Sequence, residues 1–160
     1  MALEQIGYKG PEGSIQYGVH QQVISGLAGG TTARALVASE SGSLCLFDNA
    51  ACQIYTLPAP VVGMQFDFLV TIAGTSNAYS IDTDAATTFI GGGVAAVSTT
   101  VAEGGDSFVA DIASHVSCDL DSDVTGRLVG TSLHIVCLST TTWGISGVIH
   151  GVGTLATPFA

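Results

Sequence analysis

The sequence predicts an all-β chain: a single compact β-sandwich or barrel, jelly-roll-like, with an extended N-terminal arm. Three observations carry this. From Met64 to Val70 the chain reads MQFDFLV. Side chains alternate across a pleated backbone, so Met64, Phe66, Phe68 and Val70 face one way while Gln65 and Asp67 face the other. Short runs rich in Val, Thr and Ile are separated by Gly, Ser, Asn and Asp clusters, at the spacing of sandwich and barrel strands. No window sustains an apolar i, i+3, i+4, i+7 stripe among helix-forming residues.

Residues 1–22 form the predicted arm. Gly7, Gly10, Pro11, Gly13 and Gly18 punctuate it too densely for a regular element. Ile6, Tyr8, Ile15 and Tyr17 give it apolar anchors at alternating positions, for which a solvated tail has no use. The β domain spans 23–160. Its predicted strands are 31–38, 43–47, 52–57, 64–73, 77–81, 87–90, 95–101, 107–112, 115–120, 132–139 and 142–150. Asp48-Asn49 suits a turn, because both residues tolerate left-handed geometry and bond their own backbone. Pro58 and Pro60 cannot donate to a ladder, so a strand must end there or run at an edge. Gly91-Gly92-Gly93 and Gly104-Gly105-Asp106 are expected to mark two reversals or bulges. Leu133 to Leu138 is apolar at every position except His134, which predicts burial on both faces. Trp143, Ile145 and Ile149 share one face of the following strand, and this hairpin is the expected centre of the core. The ending TLATPFA closes the chain with an apolar tip.

The chain has 160 residues, the length of one ordinary domain. Only 10% are charged against 47% hydrophobic, where soluble domains carry roughly 25% charged residues. A surface so bare of charge is expected to be covered in part by copies of itself or by a partner. Thirteen acidic residues face three basic ones, Lys9, Arg34 and Arg127, for a formal net charge of -10. Three scattered cations draw no footprint for a phosphate backbone or an anionic membrane, so neither nucleic acid nor membrane is expected as a partner. The N-terminus MALEQIGYKG shows no basic and then apolar run, so no signal peptide is expected. No apolar run approaches the roughly 20 residues that span a bilayer as a helix.

Cys45, Cys52, Cys118 and Cys137 lack the density of a disulfide scaffold and contain no C-x-x-C pair, and read as reduced, buried hydrophobes. A bridge between Cys45 and Cys52 across a hairpin at Asp48-Asn49 is the alternative. Asp119, Asp121 and Asp123 open like an EF-hand loop, but positions six and twelve are Val124 and Gly130 instead of Gly and Glu. Two readings stand for this run: a looser calcium site in a β-loop, and a solvated turn whose charges resist edge-to-edge pairing. His20, His115, His134 and His150 show no metal-ligand spacing. No G-x-S-x-G, no phosphate loop and no distinguished carboxylate pair is present, so neither a cofactor nor a catalytic residue is expected.

TLPAP, then Gly63, the F-x-F of Phe66 and Phe68, Thr75-Ser-Asn, the Trp143-x-x-x-Gly147 strand and the ending GTLATPFA together resemble the small capsid decoration, or cement, proteins of tailed bacteriophages, especially marine ones. The resemblance covers residues 36 to 160 and rests on motif order. It implies a non-enzymatic, β-rich virion protein, commonly a homotrimer, made in the host cytoplasm. Such a protein sits on the outer capsid surface and locks neighbouring copies of the major capsid protein. An arm lying across a neighbour would add a strand to an exposed sheet edge, with Ile6, Tyr8, Ile15 and Tyr17 in shallow pockets. Acidity would suit basic capsid patches. A head- or tail-fibre module that binds host glycan is the alternative, and a small trimeric nucleotide hydrolase is the enzyme comparator.

Overall fold

The computed structural model describes residues 7–9, 15–17, 22–25, 32–51, 53–75, 79–100, 102 and 104–160. In the arm, β1 (Gly7–Lys9) and β2 (Ile15–Tyr17) pair antiparallel, with Tyr8 opposite Gln16. The expectation of an arm without regular structure is therefore corrected for these residues: the chain doubles back into a two-stranded ribbon. The ribbon joins neither of the two larger sheets. Of the four anchors, Tyr8, Ile15 and Tyr17 lie on its strands, while Ile6 lies outside the described residues.

From Val23 onward the strands are β3 (Val23–Ile24), β4 (Thr32–Ala35), β5 (Leu44–Phe47), β6 (Gln53–Thr56), β7 (Gln65–Val70), β8 (Tyr79–Asp82) and β9 (Phe89–Ser98). They continue as β10 (Gly105–Ala110), β11 (Ser117–Leu120), β12 (Ser132–Ser139) and β13 (Thr142–Gly151). A short 3-10 turn, Ala38–Glu40, is the helical element among the described residues, and none of these forms a helix long and apolar enough to cross a membrane. The strands make two mixed sheets, a seven-stranded one ordered β10-β9-β13-β12-β7-β5-β3 and a four-stranded one ordered β11-β8-β6-β4. From β3 to β9 the chain changes sheet at every connection, and the neighbours β4-β6-β8 and β3-β5-β7 run parallel, while β12 pairs antiparallel with both β7 and β13.

Each sheet turns one dry face toward the other. Met64, Phe66, Phe68 and Val70 are buried while Gln65 is exposed and Asp67 half-buried, as the alternation requires. Phe47 of the large sheet stacks on Tyr79 of the small one at 4.8 Å and meets Tyr55 edge-on at 5.3 Å. Such aromatic pairs add specific geometry to a large buried area. Trp143, Ile145 and Ile149 lie buried on one face of β13, and β12 is the middle strand of the large sheet, so the predicted central hairpin is central.

Three expectations change. Gly91-Gly92-Gly93 does not turn: it runs through the middle of the ten-residue β9, joining two predicted strands into one. Glycine is needed there for close approach, since a Cβ on Gly92, at φ +101°, would lie 2.3 Å from the Ile145 carbonyl oxygen of neighbouring β13. β12 is buried on one face only, with Leu138 57% exposed. Asp48-Asn49 does turn the chain, but between sheets and not within a hairpin. Fully buried Gln53 holds that crossing. Its amide oxygen accepts from the Asp48 and Asn49 N–H groups at 2.7 and 3.1 Å, and its nitrogen donates to the Leu46 carbonyl at 3.1 Å. Cys45 is a free, buried thiol, which removes the proposed bridge to Cys52.

The C-terminal tip seals an edge. The Pro158 and Ala160 carbonyls accept from the N–H groups of Asp119, Val116 and Ser117 along β11, and buried Phe159 stacks on His115 at 6.0 Å. This protects one flank of the small sheet from pairing with other chains.

Candidate functional site

The outward face of the small sheet carries an open cleft of about 630 Å³. Two strands build its floor from one short pattern, Ser-x-Asp, which occurs as Ser80-Ile-Asp82 on β8 and Ser117-Cys-Asp119 on β11. With period two, the apolar middle residues Ile81 and Cys118 go to the core and Ser and Asp go outward. The strands are antiparallel, with Ser80 opposite Asp119 and Ser117 opposite Asp82. Each hydroxyl therefore meets a carboxylate across the ladder or along its own strand.

The Ser80 hydroxyl donates to Asp119 Oδ1 at 2.7 Å and contacts the Asp82 carboxylate, while the Ser117 hydroxyl donates to Asp119 Oδ2 at 3.0 Å. A hydroxyl has one proton, so Ser80 serves one carboxylate at a time and the other keeps acceptor capacity. Asp84 and Asp121 add two further carboxylates to the lining, and Ile54 and Val116 add apolar wall. Among the described residues that line the cleft there is no Lys or Arg. It is a surplus of acceptors in need of donors from outside.

The run Asp119, Asp121, Asp123 is split by this geometry. Asp119 and Asp121 line the cleft, with Asp121 accepting from the Thr125 hydroxyl at 2.7 Å. Asp123 instead pairs with Arg127 at 2.8 Å. Among the described residues, no group of three or more His, Cys, Asp or Glu side chains is arranged to hold a metal ion. Arg34, the other cation of the β domain, is engaged by Glu40. Of the thiols, burial pushes Cys45 up to about 12 and also raises Cys118 and Cys137, while Cys52 lies outside the described residues. Such thiols stay protonated and behave as small hydrophobes.

Sequence reasoning singled out Asp119 and Asp121 but missed Ser80, Asp82, Asp84 and Ser117. The repeated Ser-x-Asp was the available signal, though it becomes a site only once β8 and β11 are known to be neighbours. No protein-family model, curated protein or solved structure matches the chain.

Proposed function

We propose that this protein is a non-enzymatic virion structural protein that decorates the outer surface of the major capsid lattice, with the acidic face of its small sheet against basic patches of the major capsid protein. The observation that carries this reading is the lining of four carboxylates, Asp82, Asp84, Asp119 and Asp121, with no cation among the described lining residues. Lys and Arg side chains of a partner would complete the hydrogen bonds that Ser80 cannot, and charge-assisted bonds of this type are the stronger ones. The net charge of -10 adds long-range attraction to a basic shell and keeps free copies of this face apart. Many modest contacts repeated on a closed lattice then give collective strength.

The test is co-sedimentation of the full chain with undecorated capsids at ~50 and ~300 mM salt, where screening shortens the reach of surface charge. Binding should weaken at the higher salt, and the double variant Asp82→Asn, Asp119→Asn should bind at least ~10-fold more weakly, a difference of about 1.4 kcal/mol. Absence of binding by the folded wild type overturns the reading. The same cleft supports a second reading, a receptor module binding host glycan, because serine and carboxylate acceptors suit sugar hydroxyls. Glycan-array binding, competed by free sugar and insensitive to salt, would favour it.

A further inference from the structure

Among the described residues no layer covers the opposite face of the molecule, the outward side of the seven-stranded sheet, and we infer that it is the contact surface for a second copy of this chain. Its relief is apolar: Val109 of β10 is 77% exposed, Ile112 60%, Leu138 of β12 57%, Val97 of β9 47% and Val148 of β13 37%. Between these ridges runs a furrow of small residues. The register aligns Val109, Gly93, Ser146 and His134 in one row, and Ser107, Ala95, Val148 and Ser132 in the next. Ile112 lies over Gly91 at the β10 side, its Cγ2 only 2.2 Å from where a Cβ would stand, and Leu138 lies over Gly144 at the β12 side. Gly91 and Gly144 are register partners beside the Gly93–Ser146 row, so Ile112 and Leu138 close one end of the furrow whose floor is Gly93, Ala95 and Ser146.

Charge and area select the occupant. The strand residues of this face that titrate are Asp67, His134 and His150, and Asp67 is bonded to His134 at 2.7 Å. A basic partner finds its complement on the other sheet, whereas this face offers little to a charged surface. For a chain of net charge -10, approach of a second copy through the acidic cleft is repelled, while approach through this face keeps the two clefts at the far ends of the pair. The five strands β10, β9, β13, β12 and β7, averaging 8 residues or ~26 Å at ~4.8 Å spacing, present about 600 Å², approaching the roughly 800 Å² per partner of a standard interface. A two-fold contact requires one patch that is complementary to itself. A ridge beside a furrow meets that condition, since the valine ridge of each copy can enter the furrow of the other. The pairing concerns a different face from the cleft and stands or falls without the capsid reading.

The experiment is sedimentation velocity of the full chain from ~1 to ~100 µM, with wild type, Ala95→Glu and Ser146→Glu, each checked for native fold by circular dichroism. Both substituted positions are exposed, so the variants place one carboxylate in the furrow without touching the core. Wild type should reach dimer mass, and either variant should weaken dimerisation at least ~10-fold. Asp84→Asn, on the opposite face, should leave the wild-type mass unchanged. A wild type that stays monomeric at ~100 µM overturns the inference, as does a dimer that survives both furrow carboxylates. A trimer, the state implied by the cement resemblance, overturns the two-fold pairing. Monomeric wild type whose capsid binding is lost in Ala95→Glu would assign this face to the shell instead.

Discussion

The two sheets bury the same kind of surface and expose opposite kinds. Inward, both present aromatic and branched side chains to one shared core, with Phe47 and Phe68 from the large sheet against Tyr55 and Tyr79 from the small one. Outward, the small sheet shows Ser80, Asp82, Ser117 and Asp119, whereas the large sheet shows Val97, Val109, Leu138 and Val148 around glycine and alanine. A strand buried on one face is free to specialise on the other, because period two separates the two sets of side chains. Strand after strand, the same β framework thus carries a charged outer surface on one side and an apolar one on the other. The faces are independent in chemistry and dependent on one core for their shape.

Removing the shared support is the strongest way to break the comparison. Phe47 is fully buried and touches aromatic rings on both sheets. Phe47→Ala is expected to cost ~3–5 kcal/mol, the range for large aromatic truncations in a core. Chemical denaturation should show one lowered midpoint, with cleft and open face lost together. Two separated transitions would mean that the sheets fold independently and that the core is less continuous than its contacts suggest.

A smaller change should damage the open face first. Gly147 sits within β13 at φ +147°, and a Cβ there would lie 2.2 Å from the Ser132 carbonyl oxygen. Gly147→Ala must push β12 and β13 apart, which is expected to cost more than ~1 kcal/mol. Amide exchange should accelerate along β12 and β13 before it does along β8 and β11. Uniform acceleration would show that the strain spreads through the core.

Substitutions on the faces themselves should alter binding and leave stability nearly alone. Ala95→Glu in the furrow and Asp84→Asn in the cleft are each expected to move unfolding by no more than ~0.5 kcal/mol, the usual scale for exposed sites. A larger loss at Ala95 would mean that wild-type stability includes the free energy of self-association, and dilution would reveal it.

What the sequence made legible follows from the same alternation. Met64 to Val70 announced a strand with one dry face because its period is a property of the residues alone. Direction and neighbour are not, so nothing in the residues of β5 or β6 said that they run in different sheets. Glycine is ambiguous for a physical reason: lack of a Cβ serves a turn at Gly104, with φ +69°, and a close strand approach at Gly92. The cleft was half legible, since Asp119 and Asp121 stood out as a run of acids. Ser80 and Asp82 gained meaning only from the register that sets them against Asp119 and Ser117.

Acid should sharpen the comparison through the smallest effect. Asp111 follows β10 in the turn that brings Ile112 over Gly91. Its carboxylate accepts from the Ala113 N–H at 2.9 Å and from the Ser114 hydroxyl at 3.1 Å. The Ala113 bond, then the Ser114 bond, hold its carboxyl below the usual value of 3.8, with a weaker contribution from the charge of His115. A depressed carboxyl contributes stability that is present above the ordinary carboxylate value and is lost as pH falls through the lower folded value. Below pH 3.8, therefore, the turn should loosen and Ile112 should leave its place over Gly91. The Ile112 methyl resonances should shift with the Asp111 carboxyl in an NMR titration, and Asp111→Asn should abolish that shift while retaining the fold. Should Asp82→Asn or Asp119→Asn abolish the Ile112 shift instead, the two faces would communicate through the core, and their independence would be wrong.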